Sequence, residues 1–117
     1  MAALAVYGLR KCSTCQKALV ALAAAGHEVS FRDVAEAPLD PAERAALLDR
    51  FGEKLVNRAS LTWRGMSEAE RAAAPDAQLA AKPSLMKRPA IIGAGDGSGG
   101  QWLGWTAGVK RALGVEA

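Results

Sequence analysis

The chain has 117 residues, half of them hydrophobic and 23% charged, with a formal charge of +3 and two cysteines. This supports one folded domain with a single core. It excludes a disulfide scaffold, because cysteines separated by only two residues cannot staple distant segments, and their sparing use fits a reducing compartment.

Ala3–Tyr7 reads as a strand. The start, Met1 to Tyr7, lacks a basic n-region and runs straight into Gly8. A buried strand is therefore expected and not a signal peptide, and the expected compartment is the cytoplasm. Gly8 permits a turn into Lys11-Cys12-Ser13-Thr14-Cys15-Gln16-Lys17. From Thr14 to Ala25, small and apolar residues at Ala18, Leu19, Leu22 and Ala23 follow helical spacing, which ends at Gly26. Val29, Phe31 and Asp33 alternate with Ser30 and Arg32, predicting a second strand. Asp40-Pro41-Ala42-Glu43 supplies an N-cap, a proline at the first helical position and a capping-box acid, so a helix should run from there to Phe51 and stop at Gly52. Ser67-Glu68-Ala69-Glu70 opens a short helix that Pro75 closes, and Asp76 is expected to cap another before Pro83. Pro89–Ile92 and Gln101–Gly104 predict two more strands, joined by a mobile hairpin loop from Gly93 to Gly100. Thr106 caps a last helix reaching Leu113, with Gly114 as its stop. The order is β-α-β, several helices, then β-β-α, with no repeat and no domain boundary over 1–117.

The cationic residues are scattered and no basic run is interleaved with aromatics, so nucleic acid is not implied; an anionic small substrate is the sharper reading. No apolar stretch is long enough to span a bilayer, and no membrane association is expected. The glycine-rich loop contains Gly95-x-Gly97-x-x-Gly100, but a dinucleotide fingerprint must open a helix and here a strand follows, so the segment is a turn. A structural zinc site needs two ligands beyond Cys12 and Cys15. The other soft candidate is His27, which reads as a surface turn residue, so no metal is expected. Trp63 and Trp102 are most simply core residues, and Arg64 a solvated one.

The thiol pair carries the chemistry. Two cysteines at a helix start, after a strand, meet unpaired backbone N–H groups and the positive end of the helix dipole, which favour a thiolate. Arg10, Lys11 and Lys17 add positive charge, while Ser13 and Thr14 can donate hydrogen bonds. Cys12 should lie at or outside the first turn and be the more exposed; Cys15, one turn inward, would attack a mixed disulfide formed on Cys12. Lys87-Arg88-Pro89 precedes a strand, where statistics favour an ordinary trans proline.

Taken together, Val6-Tyr7-Gly8, Lys11 to Ala18, Asn57-Arg58, Thr62-Trp63-Arg64, Pro83 to Pro89, and Leu103-Gly104 before a helix resemble the arsenate reductase/Spx family. The resemblance covers nearly the whole chain. It implies an α/β, thioredoxin-like fold with a mixed four-stranded sheet, as a single domain with a helical insertion at about 40–82. It also implies that Pro89 is a cis-proline facing the thiol. In arsenate reductases the cysteine at the position of Cys12 attacks the oxyanion, glutathione attacks the adduct, and glutaredoxin resolves it. Arg88 matches the arginine that binds the anion, and a second family arginine falls at Arg58 or Arg64. Lys11 and Pro89 complete the substrate-binding candidates.

Two departures stand out. A third family arginine meets Gly104-Trp105 here, removing a charge-assisted partner worth about 1.5–3 kcal/mol to an oxyanion. Cys15 stands where those reductases carry another residue, so Cys12 can be resolved internally. Spx-type regulators carry the same thiol pair as a redox switch while binding RNA polymerase, which is the alternative reading. Thr62-Trp63-Arg64-Gly65-Met66 is closer to a small reductase-like subgroup expected to be glutathione-dependent thiol reductases. The expectation is an arsenate-reductase-like thiol-dependent oxidoreductase. It would be a monomer with no tightly bound cofactor, recycled by glutathione, glutaredoxin or thioredoxin.

Overall fold

The computed structural model describes residues 3–93 and 100–115. Most of the hairpin loop expected between Gly93 and Gly100 lies outside the described residues. The chain divides into two compact units, Met1–Asp33 with Arg88–Ala117, and Val34–Lys87.

The first unit is built on a mixed four-stranded sheet of order β2-β1-β3-β4. Its strands are β1 (Ala3–Gly8), β2 (Glu28–Asp33), β3 (Ala90–Gly93) and β4 (Gln101–Leu103). β1 runs parallel to β2 and antiparallel to β3, and β3 runs antiparallel to β4. Along β1 the buried positions are Leu4, Val6 and Gly8, the period of two that a strand imposes. Helix α1 (Ser13–Ala24) turns Cys15, Ala18 and Leu22 inward at helical spacing, and the chain leaves it through Gly26 at φ +93°. Leu4, Val6, Leu22, Ile91, Val109 and Leu113 form the core, with Phe31, Trp102 and Trp105 packed against it. Each fully buried Leu or Ile contributes about 1.5–3 kcal/mol.

Register decides what meets at the end of the sheet. Gly8 pairs with Asp33, Tyr7 with Ala90, and Ala90 with Leu103. The loop after β1 and the Arg88-Pro89 step before β3 are thereby gathered at one end. The Gly104 N–H donates to the Pro89 carbonyl at 2.8 Å, closing that end on the β4 side. The last helix, α6 (Ala107–Ala112), is capped by Thr106, whose hydroxyl accepts the Val109 N–H at 3.2 Å. His27 departs from its expected role as a surface turn residue. It is half-buried, and its Nε2 lies 2.6 Å from the Leu113 carbonyl oxygen, so it ties the turn after α1 to the end of α6.

The second unit is helical. α2 (Pro41–Phe51) carries the full capping box: Asp40 accepts the Glu43 N–H at 2.8 Å, and Glu43 accepts the Asp40 N–H at 3.0 Å. Gly52, at φ +63°, ends it and leads into a 3₁₀ turn, Gly52–Leu55. Next come α3 (Leu61–Arg64), α4 (Glu68–Ala72), α5 (Pro75–Ala81) and a second 3₁₀ turn, Pro83–Leu85. The buried Gln78 donates from Nε2 to the Glu70 and Arg71 carbonyls, satisfying the C-terminal end of α4. Asp76 is not a cap. Pro75 opens α5 as its first residue, Ala74 holds the cap position, and the Asp76 carboxylate accepts from Arg44 Nε at 2.8 Å. Trp63 is half-buried and outside the core set; the Arg58 and Arg71 guanidinium groups lie 5.6 and 6.0 Å from its ring centroid. Among the described residues no helix is long and apolar enough to cross a membrane.

Candidate active site

The loop Leu9–Cys12 is held by backbone bonds and two side chains. Its Arg10 N–H donates to Asp33 Oδ2 at 2.8 Å, and its Arg10 carbonyl accepts from Gln16 Nε2 at 2.6 Å. The Cys12 N–H returns to the Leu9 carbonyl at 3.1 Å, which folds the loop into a turn. Asp33 was not among the expected site residues. Its signal was present: a carboxylate following Val29 and Phe31 at the same alternation, buried at the end of β2. A buried carboxylate needs a donor, and the Arg10 N–H supplies one.

Cys12 occupies the N-cap position of α1 in extended conformation, without the short cap bond an oxygen side chain would make. It is half-buried, whereas Cys15 is fully buried, and both are free thiols. The exposure ranking of the two cysteines follows the sequence reading. Burial is the largest influence on the Cys12 thiol and pushes its pKa up. The Cys15 N–H, the Cys15 thiol and the Arg88 guanidinium together outweigh it, and the net shift is downward from 9.0. Cys15 goes the other way: burial and the adjacent Cys12 sulfur push it up to about 11, against the Leu9 N–H and the charge of Arg88. One thiol is thus biased toward the thiolate and its neighbour toward the protonated form.

The groups that stabilise the Cys12 thiolate differ from those expected. Ser13 and Thr14 are exposed on the first turn, and the hydrogen bonds to the sulfur come from Cys15 and Arg88. The cation acting on Cys12 is Arg88, from 76 residues along the chain. Arg10 instead lies over the Phe31 ring at 5.7 Å, and Lys11 is exposed in the turn before Cys12. The Arg88–Pro89 peptide bond is cis, as the family resemblance implied and against the statistical expectation. Pro89 is fully buried. The structure therefore brings Cys12, Cys15 and Arg88-Pro89 together within one unit. Arg58 and Arg64 belong to the other unit, where Arg58 stacks over Trp63 and Arg64 ends α3, its carbonyl accepting from Arg71 at 2.8 Å. Among the described residues no group of three or more His, Cys, Asp or Glu is placed to hold a metal ion.

The fold recurs in known proteins. An arsenate reductase (ArsC)-related protein of Brucella melitensis superposes with a TM-score of 0.71 at 28% identity, covering 94% of this chain and 92% of that one. The chain is similar to arsenate reductase (ArsC)-related proteins in fold and over nearly its whole length. The YFFB protein is similar over 94% of this chain and 97% of its own, with a TM-score of 0.79 and 25% identity. An uncharacterized protein of Haemophilus influenzae is 35% identical over 92 residues, 74% of this chain and 81% of the relative. No family model matches the chain. Like these structures, the chain has the thioredoxin-like fold.

Proposed function

We propose that the chain is a thiol-dependent oxidoreductase with Cys12 as nucleophile and Cys15 as resolving thiol. The observation that carries this reading is the pairing of a half-buried N-cap sulfur, its pKa lowered by Cys15 and Arg88, with a buried protonated thiol beside it. On a disulfide substrate the Cys12 thiolate attacks one sulfur, forming a mixed disulfide and expelling the other sulfur as a thiolate. Cys15 then loses its proton to solvent and attacks the Cys12 sulfur. The Cys12–Cys15 bond forms, the remaining substrate thiolate leaves, and two electrons have passed from the thiol pair to the substrate. Glutathione, or a glutaredoxin- or thioredoxin-type dithiol, restores the pair.

The same nucleophile serves an oxyanion substrate such as arsenate. Arg88 is the group to hold the anion, or a carboxylate of glutathione, against Cys12. Pro89 and Lys11 flank that position. Capping Cys12 as a mixed disulfide also removes the thiolate that raises the Cys15 pKa, so the resolving thiol becomes easier to ionise when it is needed. The proposed setting is the cytoplasm, as a monomer.

The test is reductase turnover with hydroxyethyl disulfide and with arsenate, using glutathione and glutaredoxin as the reducing system. Wild-type chain should turn over at least one of them, and Cys12→Ser should fall to background. Full turnover by Cys12→Ser overturns the reading. A silent wild-type chain that forms the Cys12–Cys15 disulfide and retains RNA polymerase subunits would favour the Spx-type regulator instead.

A further inference from the structure

β1 ends in a glycine whose backbone does not require one. Gly8 is absent from the positive-φ glycines, which are Gly26, Gly52, Gly104 and Gly114. Its strand conformation is open to any L-residue. What excludes a side chain is space. A Cβ built on Gly8 would lie 2.5 Å from the Cys15 sulfur, closer than such atoms approach, yet 3.5 Å from Cys15 Cβ and 3.5 Å from Phe31 Cε1, both ordinary contacts. The sulfur alone occupies the place of the missing methyl.

We propose that Gly8 is a positioning residue of the thiol pair: by lacking a side chain it reserves the seat of the Cys15 sulfur, holding that sulfur against Cys12 and the Leu9 N–H. The inference rests on the reading of Cys12 and Cys15 as nucleophile and resolving thiol. Three features define the seat: the bare Gly8 position, the Leu9 N–H donating to the sulfur, and the Cys15 thiol donating to Cys12. The strand is fixed on both sides, with Gly8 paired to Asp33 on β2 and Tyr7 to Ala90 on β3, so a methyl at Gly8 cannot retreat. The Cys15 sulfur can, by rotating about χ1, and both of its hydrogen bonds go with it. Cys12 then loses a donor that helps to stabilise its thiolate.

A double-substitution cycle tests this, with Gly8→Ala made in wild-type chain and in Cys15→Ala. The readouts are the pH midpoint of Cys12 alkylation by iodoacetamide and the urea midpoint of unfolding. In wild-type chain Gly8→Ala should raise the alkylation midpoint toward that of Cys15→Ala and lower the urea midpoint. In Cys15→Ala the added methyl enters the space left by the sulfur, so the alkylation midpoint should not move and the urea midpoint should hold or rise. If Gly8→Ala folds and leaves the Cys12 midpoint unmoved in wild-type chain, the proposal is overturned. Equal losses of stability in both backgrounds also overturn it, since the glycine would then be required by something other than the sulfur. Neither outcome touches the turnover test of Cys12→Ser, so the two failures are separable.

Discussion

α1 and α2 begin with the same spacing and opposite chemistry. At α2 the N-cap Asp40 accepts the N–H three residues on, from Glu43, and Glu43 accepts the N–H of Asp40 in return. The donors of that end are satisfied by carboxylates, and the end is chemically closed. At α1 the N-cap is Cys12, the group three residues on is Cys15, and no oxygen closes the end. The Cys15 N–H acts on a sulfur, and stabilising the helix end and stabilising a thiolate become one interaction. The two helices are also held differently. α1 buries Cys15, Ala18 and Leu22, whereas α2 buries Leu47 alone among its residues. The comparison teaches that a helix anchored by packing can leave its first turn open for chemistry, while one that is mostly exposed relies on its cap.

Breaking the comparison at its reactive end has the largest effect. Cys12→Ser should remove thiol turnover down to background in the glutathione-coupled assay, while Asp40→Ala should leave it intact. Next is the anchoring of α1. Leu22 is fully buried, so Leu22→Ala should destabilise the fold by about 2–5 kcal/mol in urea unfolding. Removing the cap of α2 by Asp40→Ala should cost about 1 kcal/mol. A larger loss for Asp40→Ala than for Leu22→Ala would reverse the account of which helix depends on its cap. The smallest effect sharpens the comparison most. Asp40→Cys, made in a chain with Cys12→Ser and Cys15→Ser, puts a thiol on a second N-cap without a neighbouring thiol or Arg88. Its alkylation midpoint should lie above that of Cys12, because helix position supplies only part of the shift.

These two helix starts also mark what could be read from the sequence. The α2 start was legible because all of its determinants are local: Asp40, Pro41 and Glu43 lie within four consecutive residues, and Gly52 closes the same segment. The position and exposure order of Cys12 and Cys15 were legible for the same reason. The electrostatics of Cys12 were not. Arg10, adjacent in sequence, lies over Phe31, Lys11 and Lys17 are exposed, and the cation acting on Cys12 arrives from the Arg88-Pro89 step through the pairing of β1 with β3. Asp33 and Gly8 were missed as site residues because their roles depend on an N–H and a sulfur placed across a turn. Helix α3 escaped because it is one turn long and its Ser60 cap has Trp63, not an acid, three residues on. His27 needed the far end of the chain to reveal its partner, Leu113.

The central claim is that the first turn of α1, with Arg88, favours the Cys12 thiolate while keeping Cys15 protonated. The most direct measurement is the rate of iodoacetamide labelling of each cysteine in reduced chain as a function of pH, read by peptide mass. Cys12 should titrate with a midpoint below 9.0, and Cys15 should stay unlabelled until the pH approaches about 11. The sign for stability follows from the same shifts. The Cys12 contribution is present above pH 9.0 and declines as pH falls through its folded value, while the Cys15 contribution is present below 9.0 and is lost as pH rises to about 11. A Cys12 midpoint at or above 9.0, or labelling of Cys15 before Cys12, would contradict the account.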